Sequence, residues 1–218
     1  MLSKNFIFSM AVATSLSLPA FAFNLSSHTV TAEQNTAHII QVSSEDTREQ
    51  KAKQFIIDLA EQGIGFLEDQ SLSDEQREKE FRNVLKRNFD MKTIARFALG
   101  RYWRSSTDAQ KKEYLALFED MIVEVYSQRF SEYNGESFEV LSAREQGKSD
   151  AVVSSQIVPP SGTKVRVEWR VREKKGKMKI IDIMVEGVSM SLTQRSDFAS
   201  VIQRGGGNVD VLLAHLRP

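Results

Sequence analysis

Apolar and polar positions follow three rhythms in turn along the chain. From Ala52 the apolar residues recur at Phe55, Ile56, Leu59, Ala60, Gly63, Phe66 and Leu67, which is one face of a helix. Gly63 and Gly65 weaken that helix by about 1 kcal/mol each relative to alanine and leave room for a bend or a close approach. Ser73-Asp-Glu-Gln76 is a capping box, opening a second helix with Phe81, Val84 and Leu85 inward. Asp90 is placed to cap a short third helix carrying Met91, Ile94, Ala95 and Ala98, which Gly100 ends or kinks. Thr107-Asp-Ala-Gln110 is another capping box. The helix it opens is expected to run to about Ser131, with a stripe of Tyr114, Phe118, Met121, Ile122 and Val125. Leu115, Leu117 and Tyr126 widen that stripe beyond what one packing face needs.

The period then changes to two. Ser137 to Arg144, Ala151 to Val158, Thr163 to Glu173 and Lys177 to Val185 read as four strands, separated by Gly147, Pro159-Pro160-Ser161-Gly162 and Lys174-Lys175-Gly176. Connections this short predict an antiparallel meander. The third strand alternates most clearly, with Val165, Val167, Trp169 and Val171 on one face and Arg166, Glu168, Arg170 and Arg172 on the other. One buried and one wet face follow. Helical spacing returns at Ser191 to Arg204, with Leu192, Phe198, Val201 and Ile202 inward. Gly205-Gly206-Gly207 breaks it, and Asn208 caps a last helix with Val211, Leu212, Leu213 and Leu216. Helices gathered on one face of an antiparallel sheet make an α+β fold.

The N-terminus follows a different logic. Lys4, the short apolar run Phe6 to Leu18, and Pro19 before Ala20-Phe21-Ala22 have the form of a cleavable secretory signal, with cutting expected after Ala22. The run falls short of the ~20 apolar residues that span a bilayer. Residues 23–47 are rich in Ser, Thr, Asn and Gln without periodicity and read as a disordered leader; the folded domain is expected over 48–217. There is no cysteine, so an exported chain must rely on an ordinary core. The whole chain carries 29 basic and 29 acidic residues, leaving no bulk basic field for nucleic acid.

Candidate chemistry is sparse. His28 and His38 fall in the leader and His215 in the last helix, so no histidine pair has metal-ligand spacing, and no metal is expected. Gly187-Val188-Ser189-Met190-Ser191 misses the nucleophile elbow, because position 191 is not glycine. The triple glycine lacks the lysine and strand of a phosphate loop and reads as a helix-ending hinge. Asp182 sits within an apolar strand, where it either serves as a base in a cavity, or lies on the wet face or bonds a loop backbone. The basic run Arg172 to Lys177 is either a solvated turn or a contact for lipid head groups or a partner.

Phe89-Asp90-Met91, Ile94-Ala95-Arg96-Phe97-Ala98-Leu99-Gly100-Arg101-Tyr102-Trp103 and Thr107-Asp108-Ala109-Gln110 occur in that order. Val167-Glu168-Trp169-Arg170, Ile181 to Met190 with Glu186-Gly187-Val188-Ser189-Met190, and Thr193 to Leu216 with its glycine break follow. In combination they resemble the MlaC family, also called toluene-tolerance or ABC-transporter auxiliary proteins, over about residues 48–217. The resemblance implies a periplasmic phospholipid carrier, not an enzyme, that keeps outer-membrane lipids asymmetric. It would shuttle lipid between an outer-membrane lipoprotein–porin complex and an inner-membrane ABC transporter with a substrate-binding ring. The lipid is cargo and no other cofactor is implied; a sibling branch accompanies hopanoid export. Acyl tails would enter an apolar cavity between the four-stranded sheet and the helices.

Such a carrier is needed because bringing a two-chain lipid into water exposes roughly 30 methylenes, on the order of 20 kcal/mol. Candidate lining residues are Phe97, Tyr102, Trp103, Phe118, Ile122, Val125, Val165, Val167, Trp169, Val171, Val188 and Met190. Arg101, Arg104 and Arg195 are candidates for head-group or partner contact. Without the resemblance the same stripes would simply fill a core. An enzyme using Asp182 as base and a solid-cored adaptor of the transporter are the two other classes the residues allow.

Overall fold

The computed structural model describes residues 47–218. The expected signal peptide at 1–22 lies outside them, as does the expected leader at 23–47 except for Thr47. Thr47 belongs to the folded domain: it caps α1 (Arg48–Glu68) in a reciprocal box with Gln50. The helix thus starts a turn before the apolar period does. Nothing approaches within 4 Å of a Cβ built on Gly63 or Gly65, so neither glycine serves a close contact.

Ser73 and Gln76 form the box that opens α2 (Asp74–Asn88), and Asp90 caps α3 (Met91–Leu99). Gly100 ends α3 at φ 59°, ψ −130°, a conformation open to glycine alone. A single turn, α4 (Tyr102–Ser105), follows and was not expected. Thr107 and Gln110 open α5 (Asp108–Ser127), which stops four residues before the expected Ser131. The chain then tightens into a 3₁₀ turn at Phe130–Glu132.

The sheet has five strands in the order β1-β2-β3-β4-β5, all antiparallel, where the sequence suggested four. They are β1 (Ser137–Gln146), β2 (Asp150–Val158), β3 (Val165–Lys174), β4 (Lys177–Val185) and β5 (Val188–Ser189). The fifth is two residues long, too short to show alternation. β4 turns into it through Glu186 and Gly187, both at positive φ, as a type I′ hairpin requires. Two helices close the chain, α6 (Met190–Arg204) and α7 (Val209–Leu216). Gly205 lets them meet: a Cβ there would lie 2.6 Å from a methyl of Val211.

The core is in two parts. One joins the sheet to the first helices through Ala52, Ile56 and Leu59 of α1, Val84 of α2, and Ala151, Val153, Val171 and Ile180 of the strands. The other lies among α3–α7, around Tyr114, Phe118 and Phe198, whose rings pack at 5.8–6.2 Å. The Tyr114 hydroxyl donates to the Ala95 carbonyl at 2.9 Å, which satisfies the one polar group burial would strand there. Among the described residues no helix is long and apolar enough to cross a membrane.

The reverse face of the sheet is not uniformly wet. Asp150, Val152 and Ser154 of β2 are buried on it. Val152 lies between Arg144 and Arg170 in the register, and arginine stems of that length cover a small apolar side chain.

Candidate functional site

Strand register fixes which side chains share the apolar face. Opposite Val171, Trp169, Val167 and Val165 of β3 stand Ala151, Val153, Ser155 and Ile157 of β2. Beyond β2 come Ala143, Val140 and Phe138 of β1; on the other flank of β3 come Ile180, Ile183 and Val185 of β4. At the end bearing Ala151, Val153, Val171 and Ile180 this face is shut beneath α1 and α2. Toward the other end the cover runs out: Phe138, Val140, Ile157, Val165 and Val185 are half-buried, and Val188 is 54 % exposed.

The polar atoms on this face satisfy one another. The Trp169 indole N–H donates to Ser155 Oγ at 2.9 Å, and Ser155 Oγ donates to the Val167 carbonyl at 3.0 Å. The indole packs against Phe138, edge to face at 6.1 Å, and neither the indole N–H nor the Ser155 hydroxyl is left unsatisfied. The α5 stripe shows the same loss of cover. Tyr114 and Phe118 are buried, Ile122 is half-buried and Val125 is 39 % exposed. Near that end of α5, Phe66, Phe81, Tyr126 and Phe130 pack in tilted and edge-to-face pairs at 5.3–6.3 Å. Burial there pushes the Tyr126 phenol up.

The predicted lining residues therefore divide. Val165, Val167, Trp169 and Val171 share the sheet face, Val171 deep in the core and Val165 at the open margin. Val188 lies beside Val185 on β5, and half-buried Met190 begins α6. Ile122 and Val125 lie on the emerging part of α5. Tyr102 and Phe118 are in the helical core, with Trp103 packed on its surface between Arg96 and Lys111. Phe97 is 43 % exposed and stacks under the Arg195 guanidinium at 5.2 Å. Phe138, Ile157, Ile183 and Val185 extend the same face and are not among the predicted lining residues; only the cross-strand register shows that they align with Val165, Val167 and Trp169.

Arg101 and Arg195 line one cleft of about 210 Å³ between the α3–α4 turn and α6. Arg101 stacks on Tyr102 at 4.9 Å and donates to its hydroxyl at 2.9 Å. The Arg195 side chain passes so close to Gly100 that a Cβ there would meet Nε at 2.9 Å. Arg104 is exposed and does not line this cleft.

Asp182 has a structural task. It accepts from Ser189 Oγ at 2.6 Å and from the backbone N–H groups of Ile183 and Ser191 at 3.0 and 3.1 Å. Ser189 in turn caps α6 by accepting from Leu192 N–H. The Glu186 to Met190 segment is thus a tight turn, a two-residue strand and a helix cap in succession. Among the described residues no group of three or more histidine or acidic side chains could hold a metal.

These features define an α+β protein with an antiparallel meander whose apolar face is covered at one end only. The chain belongs to the MlaC family: the model of the MlaC protein family matches residues 58–218. It is 23 % identical over 123 residues to the intermembrane phospholipid transport system binding protein MlaC of Haemophilus influenzae, covering 55 % of this chain and 56 % of that one. It is 24 % identical over 110 residues to the toluene tolerance protein ttg2D of Pseudomonas putida, covering 50 % of this chain and 51 % of that one. The matches thus span about half the length of these curated relatives. In fold it resembles a phospholipid-binding protein from Ralstonia solanacearum, solved in complex with a phospholipid. The TM-score is 0.66 at 20 % identity, over 76 % of this chain and 94 % of that one.

Proposed function

We propose that this protein is a phospholipid carrier, and that acyl chains lie against the open end of the apolar sheet face. The observation that carries this reading is an apolar surface that outruns its helical cover while its polar atoms, on Ser155 and Trp169, are satisfied internally. Such a surface loses nothing by contacting hydrocarbon and gains by leaving water. The phospholipid named for the Haemophilus relative and bound in the Ralstonia protein supports the choice of cargo. Val165, Val167, Trp169 and Val188 would contact the chains from the sheet, and Ile122, Val125 and Met190 from the helices. Asp182 is committed to the β5–α6 junction, which favours carriage over catalysis at that residue.

In this reading the carrier works in the periplasm, exported by its N-terminal signal. It passes lipid between an outer-membrane lipoprotein–porin complex and the substrate-binding ring of an inner-membrane ABC transporter, and so maintains outer-membrane asymmetry. Arg101, Arg104 and Arg195 tune docking or phosphate contact, and their single replacement alters transfer between partners more than lipid occupancy. The test is lipid extraction and mass spectrometry of protein taken from its own periplasm. Near-stoichiometric glycerophospholipid is expected. A hopanoid would change the cargo but keep the site. Protein that is empty, and still empty after exposure to liposomes, overturns the reading in favour of a solid-cored adaptor.

A further inference from the structure

At the tip of the β3–β4 hairpin, Lys174, Lys175, Lys177 and Lys179 rim a hollow of about 390 Å³ whose other walls are Phe89, Asp90 and Met91 at the α2–α3 junction. Lys179 is occupied, donating to the Arg87 carbonyl and, at 3.2 Å, to that of Lys86, where it caps α2. The other three are exposed, and among the described residues none lies within ion-pair distance of a carboxylate. Asp90 is the one acidic residue of the hollow, and it is engaged as the α3 cap. In a chain whose charges balance at 29 and 29, three unopposed ammonium groups on one turn are a segregated charge.

The backbone gives a second, independent sign. Lys175 holds φ at 54°, a conformation that L side chains other than Asn and Asp rarely adopt. Glu186 does the same in the β4–β5 turn, at φ 49°, but its carboxylate accepts from the Arg166 backbone N–H at 2.5 Å, which accounts for its presence there. Lys175 makes no such bond among the described residues. A cation therefore sits where local structure alone selects asparagine or glycine.

We propose that this hairpin tip is a docking site for an anionic bilayer surface, with the lysines among phosphate head groups and Phe89 and Met91 as an apolar floor. The site goes beyond the carrier reading and does not depend on it. Lysine favours this occupant: a compact charge on a flexible stem suits a fluid layer of phosphates, whereas a fixed carboxylate of a protein partner is better met by the planar fork of arginine.

The test is co-sedimentation of the mature protein with vesicles of phosphatidylethanolamine and phosphatidylglycerol, against vesicles of phosphatidylcholine. Wild type is expected to bind the anionic vesicles, to ignore the neutral ones, and to be released by salt. A lysine near such a surface contributes about a fivefold gain in partition. Lys174→Gln, Lys175→Gln and Lys177→Gln combined should then lower binding by on the order of a hundredfold, with extracted lipid cargo unchanged. Lys175→Asn removes one charge while relieving the backbone, so it should bind about fivefold more weakly at a melting temperature no lower than wild type. Unfolding cannot then explain the loss. Wild-type protein that stays free of anionic vesicles at low salt overturns the proposal and turns attention to an acidic protein surface. A triple variant that binds as wild type does overturns it outright.

Discussion

Asp150 sits between two guanidiniums on the reverse face of the sheet, with its side chain only 6 % exposed. Arg172 donates from Nε at 2.6 Å and from Nη2 at 2.9 Å; Arg170 donates at 3.0 and 2.7 Å. The Arg172 hydrogen bonds, followed by those of Arg170, outweigh burial and hold the carboxyl down to about 2. A carboxyl whose folded value lies below its unfolded value of about 3.9 stabilises the fold at neutral pH and loses that contribution as pH falls from about 4 to about 2. The contribution is about 2.5 kcal/mol at most, reduced by solvent because both arginines are more than a third exposed. Asp150→Asn leaves two cations side by side and should destabilise by about 2 kcal/mol at pH 7. Urea unfolding at pH 7 and pH 2.5 checks the sign: the gap between wild type and variant should narrow in acid. A gap that stays constant would mean the carboxylate charge is not what holds the arginines. Sequence alternation placed Arg170 and Arg172 on this face. It could not reveal Asp150 as their partner, since that pairing depends on the register between β2 and β3 and on a strand that begins one residue before the apolar run.

At the scale of elements, caps and turns do much of the specification. Three helices open with reciprocal boxes, at Thr47, Ser73 and Thr107, each worth about 1 kcal/mol. The glycines carry different tasks, which substitution should separate. Gly65→Ala places a methyl in open space within a continuous helix, so it should stabilise by about 0.5–1 kcal/mol, read as a higher urea midpoint. Gly205→Ala drives a methyl against Val211, with Cβ at 2.8 Å, and should destabilise by about 1–3 kcal/mol in the same measurement. Similar losses at both sites would contradict this account of α1. Helices and long strands were legible because their periods persist for several turns and because Ser, Thr and Asp caps mark their starts. The two-residue β5, the one-turn α4 and the end of α5 were not. β5 and α4 are too short to show a period, and each is set by contacts outside itself: β5 by the Ser189 bond to Asp182 of β4, α4 by Tyr102 entering the helical core.

For the molecule as a whole, the division into two cores matters more than either core alone. The sheet–helix core closes one end of the apolar face, the helical core gathers α3–α7, and half-covered apolar side chains from both continue past them. The apolar strand positions were readable from alternation. Which of them fill a core and which stay half-covered was not, because Val165 and Val171 have the same chemistry and the same phase on one strand. Their difference is where α1 and α2 lie. That difference supplies a paired test of the proposed site. Val171→Glu puts an unpaired carboxylate into the closed core, where Val171 is 0 % exposed, and should cost several kcal/mol and unfold the protein. Val165→Glu puts the same group at the open margin, where water reaches it. That variant should stay folded by circular dichroism and melt within a few degrees of wild type, yet carry little or no extractable lipid. Val167, 3 % exposed and between the two, should fall between them in stability. A folded Val165→Glu protein that retains its full complement of lipid would remove the open end of the sheet from the binding surface. An unfolded one would mean that this margin is as much a part of the core as Val171.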